Sequence, residues 1–256
     1  MKTLFRSCLL FGLLGTALHL AAQPAPLRPR VTSVASGFDY SQGDYGFTDD
    51  TEVFSVPLDL GYESGSWIWR ANFSYLTIKG PAAIIGAGGA VRPTSNTESG
   101  IGDVYLSGTY RFGETLGPWN LDATVRVKLP TASEDRGLGT GETDFYGQAD
   151  IYRTFGKVTP FLSLGWREFG TSDLYPLKSG IYTSIGVHFR PSETTVITTA
   201  FDWGEQLLAG QDDTMDALVA VTHDVNANWR TMVYALAGFT DASPNLAIGG
   251  RLTYRF

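Results

Sequence analysis

Cysteine is all but missing from this chain: among 256 residues the only one is Cys8. Residues 1–22 read as a secretory leader, so the mature chain is expected to hold no cysteine, and disulfides play no part in it. Charged residues are scarce as well, at 18%, whereas disorder ordinarily goes with high charge and few aromatics. Beyond the leader, histidine is limited to His188 and His223. No apolar run after residue 22 reaches the roughly 20 residues of a transmembrane helix, and no segment has a convincing helical period. A chain with these absences can span a membrane only as a closed β-barrel. Basic residues are outnumbered 19 to 26, and loss of Lys2 and Arg6 with the leader would take the formal charge from −7 to −9. That balance argues against nucleic acid as a partner.

The leader has its three parts in order. Lys2 and Arg6 supply the positive start, Leu9 to Leu20 a short apolar run, and Ala21-Ala22 a small-residue cleavage site before Gln23. The expected division is therefore residues 1–22 as signal peptide and residues 23–256 as one β domain.

Glycine (30 residues) and aromatic side chains (13%) are plentiful, which suits a β-barrel. Alternation with period two marks about twelve strands, near 31–41, 52–63, 66–78, 101–112, 119–130, 143–155, 158–169, 180–190, 194–204, 215–225, 228–239 and 246–256. Short connections such as Ser64-Gly65, Gly156-Lys157, Pro191-Ser192-Glu193 and Asn226-Ala227 alternate with long ones such as 79–100, 131–142 and 205–214. Short turns at one end and long loops at the other predict an all-β fold, a transmembrane antiparallel up-and-down β-barrel of about 12 strands. A soluble sandwich would alternate too, with its apolar face turned inward. Aromatics at strand ends favour the membrane: Tyr62, Trp67, Trp69, Phe112, Trp119, Phe155, Phe189 and Trp229 at the turn end, and Tyr40, Tyr75, Phe145, Trp166, Tyr182, Trp203 and Phe239 at the loop end.

In the final segment, Leu246, Ile248, Leu252, Tyr254 and Phe256 fall on one face, and Arg251, Thr253 and Arg255 on the other. This strand resembles the closing strands of bacterial outer-membrane barrels, whose terminal Phe belongs to an assembly signal. The resemblance implies the outer membrane of a diderm bacterium, its lipid, and its assembly machinery as partners. Gly100-Ile-Gly-Asp-Val-Tyr-Leu-Ser-Gly-Thr-Tyr-Arg-Phe112 places a Gly-Asp pair at a strand start. Lys128-Leu-Pro-Thr131 and Gly137-Leu-Gly-Thr-Gly-Glu-Thr-Asp-Phe145 give a strand end, a Gly-rich loop and a new strand opening on Asp. These stretches resemble the family of transporters of the meta-pathway of phenol degradation, with Asp103, Gly139, Gly141 and Asp144 as motif positions. The resemblance implies passive uptake of small molecules, aromatic or hydrophobic ones among them. It implies no cofactor.

Alternation turns Arg70, Asp103, Arg111, Asp122, Arg126, Asp144, Asp150, Arg230 and Arg251 inward as candidate lumen-lining residues. Asp202 and Asp216 join Asp103 and Asp144 near the loop end; Arg190 and Arg255 join the arginines near the turn end. Such residues either line a water channel or pair across a filled lumen. The 79–100 connection is apolar over Pro81 to Val91, and Ile84, Ile85 and Val91 are candidates for a constriction at the barrel mouth. The same segment could equally rest on the rim. Gly137 to Gly141 precedes a strand rather than a helix, so it reads as a turn and not as a phosphate cradle. Ser184 and His188 share a face but lie about 13 Å apart along a strand, too far for a nucleophile and its base. No metal-site spacing occurs; Asp49, Asp50 and Glu52, and Asp212, Asp213 and Asp216, could hold a divalent cation at the rim but read rather as solvated loop charge. The expectation is a channel rather than an enzyme, with a filled barrel acting through its loops as the alternative, and a membrane hydrolase as a distant third.

Overall fold

The computed structural model describes residues 30–45, 49–84, 90–93, 97–170 and 176–256. The expected signal peptide lies outside the described residues. The strands are β1 (Val31–Gly43), β2 (Thr51–Ser64), β3 (Trp67–Lys79), β4 (Ala82–Ile84), β5 (Ala90–Pro93), β6 (Thr97–Ile101), β7 (Val104–Leu116) and β8 (Trp119–Leu129). They continue with β9 (Asp144–Tyr152), β10 (Val158–Glu168), β11 (Gly180–Phe189), β12 (Thr195–Gly204), β13 (Thr214–Asp224), β14 (Trp229–Gly238) and β15 (Leu246–Arg255).

Sequential antiparallel pairing runs from β7 through β15, and β1 to β3 complete the circuit. The ring closes where β15 pairs with β1, from Ser33↔Arg255 to Gln42↔Leu246. Twelve strands form the closed barrel, and β6 is an extra strand beside the loop end of β3. Closure leaves the ring of twelve strands with no open edge, the usual liability of a chain-terminal strand. At the end of β15 the Phe256 amide still donates to the Thr32 carbonyl, at 2.9 Å.

The barrel is apolar outside and polar within. On β2, Phe54, Val56, Leu58 and Leu60 are exposed, while Thr51, Val53 and Ser55 on the opposite face are buried. Val125 (67% exposed), Ile185 (59%) and Val233 (59%) point outward in the same way. A water-soluble fold would bury these side chains and hydrate the polar ones. A closed sheet with the reverse arrangement is matched to lipid.

Two local departures from the sequence reading have clear causes. The fourth predicted strand is divided into β6 and β7 by Gly102 and Asp103. The ladder survives the break because the Gly102 amide reaches the Ser74 carbonyl (2.8 Å), while the Asp103 carboxylate accepts from the Ala132 amide (3.0 Å). The connection at 79–100 is not a plain loop: β4 and β5 pair antiparallel, with Ala82 opposite Pro93 and Ile84 opposite Ala90. Ile85 lies outside the described residues, and Ile84 and Val91 are described only as members of this hairpin.

Candidate functional site

Register determines which inward side chains meet. Asp122 on β8 stands opposite Asp150 on β9, Asp150 opposite Ser163 on β10, and Ser163 opposite Ser184 on β11. Ser184 then stands opposite Asp202 on β12, and Asp202 opposite Asp216 on β13. All six are buried on the enclosed face. Opposed residues of an antiparallel pair have Cβ atoms about 5 Å apart, so this is one continuous polar row. Barrel strands tilt about 40° and lie about 4.8 Å apart, so a row at right angles to them climbs about 3 Å per strand. The row begins three residues from the turn-end start of β8 and finishes two residues from the loop-end start of β13. It is a ramp through the lumen.

A second row runs parallel to it, two residues nearer the turn end. Asn120, Tyr152, Phe161, Gly186, Ala200, Leu218, Leu236 and Ala247 are opposed in sequence from β8 to β15. Six of them belong to one apolar cluster with Ala220 and Tyr234. The inner face is therefore not uniformly polar, as alternation alone suggested.

The lumen carboxylates fall into two groups. Asp39 is held by Arg251 through two hydrogen bonds, Nη1 to Oδ1 at 2.8 Å and Nη2 to Oδ2 at 2.7 Å. The Tyr234 hydroxyl donates to the same Oδ1 at 2.5 Å, and Arg251 Nε lies 3.4 Å from Asp59. Lys128, fully buried, donates to Thr140 Oγ1 (2.7 Å) and sits 2.6 Å from Asp144 and 3.6 Å from Asp103. Asp224 takes Arg230 Nε and Arg255 Nη2, each at 2.7 Å. Asp122, Asp150, Asp202 and Asp216 belong to the other group: among the described residues none of them forms an ion pair. They are the four carboxylates of the ramp.

Side chains from the long connections pack against inward-facing residues at the loop end. Leu138 and Ala132, from the β8–β9 connection, are buried against Val53, Leu76 and Ile78. Leu177 and Leu207, from two further loops, pack with Tyr146 and Phe169. Lys128 anchors the first of these loops through its hydrogen bond to Thr140 and its ion pair with Asp103, which also accepts from the Ala132 amide. Gly139 suits this turn because a side chain there would meet Ala132 and the Asp103 carboxylate.

The sequence-derived lumen candidates all lie on the inner face, in several settings. Asp122 and Asp150 are on the ramp. Asp103 and Asp144 share Lys128, two residues beyond Arg126 on the same face of β8. Arg111 pairs with Glu63 at 3.3 Å near the turn end, on the same side of the strands as half-buried Arg70. Arg126 lies over the Tyr105 ring at 4.1 Å, and Arg230 and Arg251 belong to the clusters above. Asp39 and Tyr234 were missed; their partners come from the opposite end of the chain, which no local pattern reveals.

Tyr182 corrects the aromatic girdle: it is 5% exposed and donates its hydroxyl to Gln148 at 3.1 Å. It shares a face with Ser184 and stands opposite Gly165, whose missing side chain makes room for the ring. His188 Nδ1 lies 2.8 Å from Thr198 Oγ1 and its ring stacks on Phe161, so its contacts are with these two rather than with Ser184. Among the described residues no group of three or more His, Cys, Asp or Glu could hold a metal ion.

No known protein family matches the chain, and no curated protein matches it in sequence. Solved structures share its fold. The KdgM porin aligns over 88% of this chain and 99% of its own, with a TM-score of 0.57 at 6% identity. The translocator domain of the autotransporter NalP from Neisseria meningitidis aligns over 95% and 93%, with a TM-score of 0.54 at 11% identity. These likenesses establish the outer-membrane β-barrel fold; they extend to barrels of different roles and do not single out the phenol-degradation family.

Proposed function

We propose that the protein is an outer-membrane channel of a diderm bacterium for passive uptake of small molecules. The observation that carries this reading is a lipid-matched closed barrel whose inner wall bears a continuous polar ramp from the turn end to the loop end. Eight strands give a barrel that side chains fill, and sixteen leave an open channel. Twelve give a narrow conduit, which the inward loops constrict further. The 79–100 connection, with Ile84, Ile85 and Val91, is a second constriction in this reading. The apolar row beside the ramp suits aromatic or hydrophobic solutes, the class that the resemblance of residues 100–155 also implies. The lipid-facing aromatics of the last strand, Tyr254 and Phe256, 4.9 Å apart, would be read by the assembly machinery.

The test is solute permeation into liposomes that contain the refolded protein, with small sugars, phenol-like aromatics and inorganic ions compared. Entry of small solutes supports the channel. Tight vesicles around correctly folded protein contradict it and favour a second reading, a filled barrel acting through its loops. The apolar clusters inside the mouth are the observation on that side.

A further inference from the structure

Of the ramp's four carboxylates, Asp122 stands opposite Arg111, whereas Asp150, Asp202 and Asp216 have no cationic partner among the described residues; Asp39, Asp59, Asp103, Asp144 and Asp224 each have one. Two of its contacts, Asp122 opposite Asp150 and Asp202 opposite Asp216, set like charges face to face across neighbouring strands. Such pairs are unfavourable unless something positive joins them. Asp122, Asp202 and Asp216 each keep one buried carboxylate oxygen without a hydrogen bond. Between the two pairs stand Ser163 and Ser184, each 1% exposed, with their hydroxyls beside the Asp150 and Asp202 carboxylates. Unused acceptors and two hydroxyls thus converge on one strip of the wall.

The neighbouring row adds a second kind of contact. Tyr152 and Phe161 stand opposite each other two residues nearer the turn end than Asp150 and Ser163, and Leu218 two residues nearer than Asp216. Two residues along a strand is about 7 Å, the span of a small aromatic or alkyl group. Aromatic faces next to carboxylates attract ammonium groups, the first through the ring quadrupole and the second through charge.

We infer that the ramp is a binding track for small organic cations, in which the ammonium group is taken by the Asp pairs and the serine hydroxyls, and the apolar body lies along Tyr152, Phe161 and Leu218. This rests on the reading of the lumen as a solute path and names the solute class. Inorganic cations could satisfy the carboxylates but would make no use of the apolar row.

The experiment is equilibrium dialysis of benzylammonium against the full-length protein folded in neutral detergent, with benzyl alcohol and benzoate as neutral and anionic counterparts. Variant controls subtract partition into the micelle. Saturable benzylammonium uptake is expected in the wild type, weakened about tenfold or more in Asp202→Asn/Asp216→Asn and in Asp122→Asn/Asp150→Asn. Either double variant suffices if the other fails to fold. Benzyl alcohol or benzoate taken up equally, or uptake unchanged in a folded double variant, overturns the inference. So does displacement of benzylammonium by potassium at equal concentration, which would make the ramp a plain cation site. Dialysis needs no conduction, so its outcome is separate from that of the permeation test.

Discussion

Arg251 grips Asp39 with both terminal guanidinium nitrogens across the seam between the last strand and the first, a contact between residues 212 positions apart. The Asp39 side chain is almost wholly buried and also takes the Tyr234 and Ser55 hydroxyls. Removal of one partner from a buried pair costs about 3–5 kcal/mol, because the other charge remains without compensation. Arg251→Met should therefore lower stability by about that amount, read as an earlier midpoint in urea unfolding of the detergent-folded barrel. Arg251→Met/Asp39→Asn should recover a substantial part of the loss. Equal stability of Arg251→Met and wild type would remove this pair from the account of closure.

Lys128 governs the loop that enters the mouth. Its replacement by Met leaves Asp103 and Asp144 buried without their cation, and frees Thr140 and the turn that carries Leu138. Destabilisation of about 3–5 kcal/mol is expected, relieved in part by Asp103→Asn/Asp144→Asn in the same chain. A variant with Leu138→Ser should leave the ion pairs intact and loosen only the loop, so that solute entry into liposomes rises with little change in stability. Entry unchanged in Leu138→Ser would mean that this loop does not limit passage.

Most of the frame was legible in the sequence, because period two and turn spacing are local. The predicted strand 180–190 is β11 (Gly180–Phe189), and the predicted 246–256 is β15 (Leu246–Arg255). What the sequence hid depends on register. Asp122, Asp150, Asp202 and Asp216 each read as inward, but their alignment in one row follows from how six strands slide past one another. Tyr182 read as interfacial because it lies near a strand end, while its face is set by Ser184 two residues on. The β8–β9 loop read only as a turn because Gly137 to Gly141 carries no sign of the buried lysine beneath it.

Gly165 gives a test of that inner packing. Tyr182 crosses it to reach Gln148, so Gly165→Val should drive the ring aside at a cost of about 1–3 kcal/mol. Tyr182→Ala in the same chain should relieve the clash, and additive losses in the double variant would contradict it. Urea midpoints of the three variants decide between these outcomes.

The β4–β5 hairpin is the second proposed constriction. Deletion of residues 82–90 should raise solute entry into liposomes if the hairpin narrows the mouth. Entry at the wild-type rate would leave the β8–β9 loop as the sole constriction in the account.

The central claim is that solutes cross the membrane through the lumen, and single-channel current across a planar bilayer tests it most directly. The account predicts small, discrete conductance steps from the wild-type protein, and larger steps from Leu138→Ser in the same salt. A bilayer that stays silent while both proteins are folded and inserted would contradict it.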